Sequence, residues 1–100
     1  MAEFAIGSRV WPGLSKLAEE AGEVVQVIGK LIATGGSPEH WDGLGDLRTR
    51  LENEIADLTA ACIFVAKANG LDEQRIKERG GVKLARFSRW HELGQGNVKP

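Results

Sequence analysis

The sequence predicts an all-α protein: an antiparallel helical hairpin plus a C-terminal helix, completed into a four-helix bundle by oligomerisation. Two long segments place apolar residues three and four positions apart, which is the spacing of one helix face. No segment has the alternating pattern that predicts a half-buried strand. These helices are long for a chain of 100 residues, so one subunit has too little surface to cover their apolar faces. We therefore expect self-association.

The two long helices have recognisable ends. The first is predicted over 12–34, because proline is tolerated at the first helical position and Gly35-Gly36 ends the pattern. The second is predicted over 47–68, with Asp46 as its N-cap and Asn69-Gly70 after its last turn. The apolar stripe of the first helix comprises Leu14, Leu17, Ala21, Val24, Val25, Ile28, Leu31 and Ile32. The second stripe comprises Leu47, Leu51, Ile55, Leu58, Cys62 and Val65.

The remaining segments are shorter. In the loop between the long helices, Ser37-Pro38 predicts a short helical turn over 39–42. A third helix is expected from Asp72 to Arg79. Gly80-Gly81 should interrupt or bend it before a last helical segment.

That last segment is predicted over 82–93 and the tail over 94–100, so the folded domain should span residues 1–93.

Composition excludes several functional classes. A net charge of −1, from 13 basic and 14 acidic residues, gives no overall attraction to a nucleic acid polymer or an anionic membrane. The single cysteine excludes an intrachain disulfide and a four-cysteine zinc site. No apolar run approaches the roughly 20 residues needed to cross a bilayer, and the N-terminus lacks the pattern of a signal peptide. We expect a cytoplasmic protein.

Acidic residues occur at helical spacing on both long helices. Residues three apart share a helix face, so Glu20 can pair with Glu23, and Glu54 with Asp57, each pair directed at one point. These acids lie beside the apolar stripes, and the positions four residues after them offer no basic partner. Unpaired carboxylates facing a core are costly unless they are protonated or a cation neutralises them. Mg²⁺ accepts oxygen ligands and suits such a site. The alternative is a set of solvated surface acids.

The two motifs, Glu19-Glu20-x-x-Glu23 and Glu54-x-x-Asp57, resemble the EExxE…ExxD signature of the MazG-like all-α nucleoside triphosphate pyrophosphohydrolases. The similarity covers about residues 14–90 and includes the later segment Lys83-Leu84-Ala85-Arg86-Phe87. It implies Mg²⁺-dependent hydrolysis of a nucleoside triphosphate to the monophosphate and pyrophosphate, in a homodimer or homotetramer. Mn²⁺ is expected to substitute for Mg²⁺.

The resemblance also implies roles for individual residues. The predicted Mg²⁺ ligands are Glu20, Glu23, Glu54 and Asp57. Glu19 and Glu23 are the predicted catalytic residues, with Glu19 holding a second metal ion or orienting the attacking water. The predicted substrate-binding residues are Lys16, Lys83 and Arg86 on the phosphates and Trp41 as a stacking surface for the base.

Other interpretations stay open at this point. Each of the three basic residues is equally compatible with a solvated helix surface. Within the same superfamily, the substrate could be phosphoribosyl-ATP or one deoxynucleotide. Outside it, the chain could be a non-enzymatic helical dimerisation module.

Overall fold

The computed structural model describes Phe4 and residues 6–95. This part of the chain contains three helices and no strands. Helix α1 spans Leu14–Ala33, α2 spans Leu47–Ala68 and α3 spans Glu73–Gln95. The all-α prediction is confirmed. No helix in this part of the chain has the combination of length and apolarity that crossing a membrane requires.

Helix α1 begins two residues later than predicted. Pro12 lies in a turn, and Gly13 caps the helix in a left-handed conformation with φ of 84°. Gly13 is buried, and a Cβ atom there would lie 2.6 Å from Cδ1 of Phe64. Both the backbone conformation and the close approach of α2 therefore favour glycine at this position. At the other end Thr34 is the C-cap, so the helix ends one residue earlier than predicted.

Helix α2 has the predicted bounds. The Asp46 side chain accepts a hydrogen bond from the Thr49 N–H at 3.0 Å, as expected of an N-cap. Leu47 is completely buried, and its N–H donates to the Pro38 carbonyl at 2.8 Å. The short helical turn predicted over 39–42 is absent, and the chain there forms one turn instead, closed by the hydrogen bond from the Gly43 N–H to the His40 carbonyl at 3.2 Å.

Helices α1 and α2 pack against each other as an antiparallel hairpin. The Asn69 side chain, at the end of α2, donates to the Pro12 carbonyl just before α1 at 3.1 Å. This bond joins the end of one helix to the start of the other. The buried apolar residues belong to the hairpin and are Val27, Leu47, Ala61, Val65 and Ala66.

Helix α3 is continuous, so the predicted interruption at Gly80-Gly81 is wrong. A glycine costs only about 1 kcal/mol relative to alanine inside a helix, and the flanking lysines, arginines, glutamate, leucine and alanine favour helix formation. The helix begins with Asp72 as N-cap, whose carboxylate accepts from the Arg75 N–H at 3.0 Å. It extends to Gln95, so residues 94 and 95 are helical rather than tail. The rest of the predicted tail lies outside the described residues.

The three helices form a thin molecule of 48 × 37 × 17 Å. An α-helix with its side chains is about 10–12 Å across, so this thickness holds little more than one layer of helices. The Cα radius of gyration is 16.8 Å, against about 13 Å for a compact domain of this length. Because a stable core generally needs two packed layers, much apolar surface stays uncovered in a single chain. Exposed examples are Val25, Ile28, Ile32, Ile55, Ile76, Val82, Leu84, Phe87 and Trp90.

Candidate metal centre

Three carboxylates from the two hairpin helices converge on one point. Glu20 and Glu23 lie on one face of α1 because they are three residues apart, and Glu54 faces them from α2. One oxygen atom from each lies within 4.8 Å of the others, which is close enough for all three to bind one cation. Three of the four predicted metal ligands are therefore together.

Two of these carboxylates each have one buried oxygen atom without a hydrogen-bond partner. Only 9% of the Glu20 side chain is exposed, and its Oε2 atom has no hydrogen-bond partner. The Oε2 atom of Glu54 is also buried without a partner. Leaving a buried acceptor unsatisfied costs about 1–3 kcal/mol, and more when the group is charged. A cation that takes oxygen ligands would satisfy both atoms.

Glu20 has a basic neighbour at the position four residues before it, not four residues after it. Lys16 lies one turn earlier on α1, and its Nζ is 3.2 Å from Oε1 of Glu20 and 3.4 Å from Oε1 of Glu19. Hydrogen bonds and attraction to these two carboxylates raise the pKa of Lys16. This predicted phosphate-binding residue thus lies beside the predicted metal ligands, together with the largely exposed Glu19.

Glu23 interacts most strongly with Glu54. A hydrogen bond between the two side chains, burial, and repulsion from Glu54 and Glu19 together raise the pKa of Glu23. The neighbouring negative charges thus favour the protonated form of Glu23. Binding a divalent cation would favour its charged form and displace the proton.

A cavity of about 410 Å³ lies beside Glu20. Asp57, the fourth predicted ligand, lines this cavity with Lys16 rather than joining the three convergent oxygens. The apolar part of its wall comes from Ile6, Ala60, Ala61 and Phe64. No sequence pattern marks Ile6, because it precedes the first helix and belongs to no periodic stripe.

The other predicted substrate-binding residues do not line this cavity. Lys83 is half-buried and Arg86 is exposed, and both lie on α3, which contributes no residue to the cavity wall. Trp41 is 77% exposed in the loop between α1 and α2. Its ring stacks on His40 with the centroids 4.1 Å apart.

The loop that holds Trp41 is fixed by Asp42, which sequence analysis did not single out. Asp42 lies 3.0 Å from Lys30 of α1 and 3.2 Å from Arg50 of α2, so it joins both helices to the loop. The Leu44 N–H and Arg50 donate to this carboxylate, and together with Lys30 they hold the pKa of Asp42 well below its usual range. Nδ1 of His40 accepts a hydrogen bond from the Asp42 backbone N–H at 3.0 Å. No motif marks Asp42, because its partners are distant in sequence.

Comparison with known proteins adds no identification. No protein-family model matches the chain, and neither the curated proteins nor the solved structures contain a significant match.

Proposed function

We propose that this protein is a Mg²⁺-dependent nucleoside triphosphate pyrophosphohydrolase, which converts an NTP or dNTP into the monophosphate and pyrophosphate. One observation supports this most: Glu20, Glu23 and Glu54 converge from two helices, and two of their oxygens are buried without a partner. The order and spacing of these acids are those of the EExxE…ExxD motif.

The donor set fits Mg²⁺. Oxygen ligands alone, from carboxylates on two rigid helices, are what this cation prefers, and Asp57 offers a further carboxylate at the edge of the same cavity. When bound, Mg²⁺ would offset the negative charge of the triphosphate during attack by water.

The chain's own residues would activate the water molecule and bind the substrate. Glu19, exposed and next to the cluster, would orient a water molecule, and the charged form of Glu23 would accept a proton from that water. Lys16 would exchange its carboxylate partners for phosphate oxygens, since its ammonium group is a compact charge on a flexible stem. The cavity of about 410 Å³ beside them would receive the substrate.

We also propose that the active form is a homodimer or homotetramer in which two hairpins make a four-helix bundle. The thickness of 17 Å and the exposed apolar residues on all three helices support it, because a second copy would supply the missing layer. Sedimentation at micromolar concentration should show a dimer or tetramer, and a stable folded monomer would contradict this arrangement.

Two narrower or different functions remain as alternatives. A phosphoribosyl-ATP or single-deoxynucleotide hydrolase would use the same carboxylates with another base pocket. A non-enzymatic dimerisation module would also have an exposed apolar surface. It would not explain the two buried carboxylate oxygens without a hydrogen-bond partner, because such atoms are costly in a folded protein. Thermal melting with increasing Mg²⁺ separates the classes, because a binding site gives saturable stabilisation and a module does not.

The deciding experiment measures pyrophosphate release from each common NTP and dNTP, and from phosphoribosyl-ATP, with and without Mg²⁺. Glu54→Gln should abolish release, while Glu52→Gln, an exposed acid on the same helix, should leave it unchanged. Absence of release from every nucleotide by the wild-type protein would reject the proposal.

A further inference from the structure

His40 is a nearly buried histidine in the loop between α1 and α2. Only 7% of its side chain is exposed. Its ring stacks on that of Trp41, with the two ring planes 30° apart. Trp41 itself is 77% exposed, so most of its surface lies in solvent. His40 therefore supports Trp41 from the buried side of the loop.

The Nδ1 atom of His40 lies between a donor and an acceptor of one residue. The backbone N–H of Asp42 donates to Nδ1 at 3.0 Å. The Oδ2 atom of Asp42 lies 3.2 Å from the same nitrogen. A ring nitrogen accepts a hydrogen bond only when it carries no proton, and it donates only when it carries one. Nδ1 can therefore bond to one of these two groups at a time, and protonation decides which.

The hydrogen bond from the Asp42 N–H identifies the form of His40 in this structure. Because Nδ1 accepts, the ring is neutral and carries its proton on Nε2. In the imidazolium form both ring nitrogens are donors. Nδ1–H would then point at the Asp42 N–H, so it would have to turn toward Oδ2 instead.

The Oδ2 atom of Asp42 already has two cationic partners. Nζ of Lys30 lies 3.0 Å from it, and Arg50 donates to it at 3.2 Å. An imidazolium at Nδ1 would be a third cation on one carboxylate, so it would compete with both. The charged groups around His40 come from each element that meets here: Lys30 of α1, Arg50 and the N-cap Asp46 of α2, and Glu39 and Asp42 of the loop.

Space beside the ring allows it to turn. His40 lines a cavity of about 440 Å³ together with Glu39, Gly43 and Asp46. Two of these residues carry carboxylates. An imidazolium that turns into the cavity therefore meets negative charge, which favours its protonated form.

The ends of the loop are held independently of His40. Thr34 Oγ1 donates to the Ser37 carbonyl at 2.7 Å, and the Leu47 N–H donates to the Pro38 carbonyl at 2.8 Å. Neither bond involves a titratable group. A change at His40 is therefore confined to residues 39–45, which include Trp41.

We propose that His40 is a pH-sensitive switch in the loop between α1 and α2. When the ring is neutral, Nδ1 holds the Asp42 N–H and the ring supports Trp41. Protonation exchanges the N–H for Oδ2, turns the ring and releases Trp41 from its stacked position. The switch does not depend on the proposed function, and only one consequence does. Because Trp41 is the predicted stacking surface for the base, acid would weaken nucleotide binding.

Amide exchange of the metal-free protein, measured by NMR from about pH 8 to about pH 5, tests the switch without any nucleotide. The protection factor of the Asp42 amide should fall about fivefold or more as the ring resonances of His40 titrate, because one hydrogen bond is lost. The Leu47 amide, which bonds to Pro38, should keep its protection over the same range. Unchanged protection of the Asp42 amide while His40 titrates, or a His40 ring that does not titrate in this range, would overturn the inference.

The variant His40→Asn separates protonation from hydrogen bonding. Asparagine two residues before an N–H can form an Asx-turn, so its side-chain oxygen provides an acceptor that cannot be protonated. Protection of the Asp42 amide should then stay constant across the pH range. His91→Asn, which replaces the other histidine of the chain, is the matched control and should behave like the wild type. A loss of protection in acid that persists in His40→Asn would contradict the switch.

Discussion

Lys16 forms an ion pair of 3.2 Å with Glu20, one helical turn away, at the point where the carboxylates of the hairpin converge. It therefore stabilises a buried negative charge in the metal-free protein, and it competes with a cation for the same carboxylate. Lys16→Met should lower the melting temperature without Mg²⁺ and increase the stabilisation that saturating Mg²⁺ provides. Thermal melting with and without the cation measures both effects. Arg48→Met, at an exposed site on α2, is the control and should change neither.

The carboxylates should be individually essential for turnover. Glu20→Gln, Glu23→Gln, Glu54→Gln or Asp57→Asn should each lower kcat/KM by about 100-fold or more, as losing roughly 3 kcal/mol of transition-state stabilisation requires. All four metal-free variants should stay folded. Repulsion within the cluster falls in Glu23→Gln and Glu54→Gln, so these two should be at least as stable as the wild type, whereas Glu20→Gln loses the ion pair with Lys16. Steady-state kinetics and circular dichroism test the two parts. Near wild-type activity in any two variants would contradict the proposed ligand set.

The pH dependence of stability should reflect the raised pKa of Glu23. Because the folded state raises the pKa of Glu23 above its ordinary value of 4.5, the folded protein binds more protons than the unfolded chain above that pH. This contribution favours folding at low pH and is lost as the pH rises through the raised pKa. Metal-free Glu23→Gln should lack this loss when thermal stability is followed from pH 4.5 upward. Mg²⁺ binding should release a proton in the same range, which calorimetry in two buffers detects.

The loop around Trp41 should depend on Asp42. Asp42→Asn removes the ion pairs with Lys30 and Arg50 and leaves those two cations near each other, so the melting temperature should fall at neutral pH. The folded state lowers the pKa of Asp42, so its contribution is present above the ordinary value of 3.8 and is lost as the pH falls through the lowered pKa. The stability difference between wild type and variant should accordingly shrink in strong acid. Asp72→Asn, which keeps an N-cap side chain, provides the control and should cost little.

The sequence predicted the features that depend on residues close together in the chain. The bounds of α2 follow from Asp46 and Asn69, and the meeting of Glu20 with Glu23 follows from helix geometry. The start of α1 depends instead on the approach of Phe64 to Gly13, a contact between residues 51 positions apart that no local pattern reveals. The Asp42 network and the place of Ile6 in the cavity wall are non-local for the same reason.

The predicted interruption of α3 at Gly80-Gly81 was wrong for a different reason. Two glycines weaken a helix without preventing it. Whether the helix continues through them depends on the summed helix propensities of the surrounding residues. The place of α3 depends on contacts with the hairpin, such as the hydrogen bond from the Leu71 N–H to the Ala66 carbonyl just before it, and a helical wheel contains no information about them.

Lys83 and Arg86 are predicted to bind the phosphates of the substrate. Lys83 and Arg86 are three residues apart on a continuous helix, so both can contact one phosphate chain. Lys83→Ala and Arg86→Ala should each lower kcat/KM by roughly tenfold or more, as the loss of a charge-assisted contact of about 1.5–3 kcal/mol requires. Mg²⁺ binding without nucleotide should hardly change, because neither residue lies among the convergent carboxylates. Lys77→Ala, on the opposite face of α3 from Arg86, is the matched control and should leave the kinetics intact. Equal kinetics for all three variants would indicate that Lys83 and Arg86 belong to a solvated surface of α3. Lys16 would then be the remaining candidate for phosphate binding.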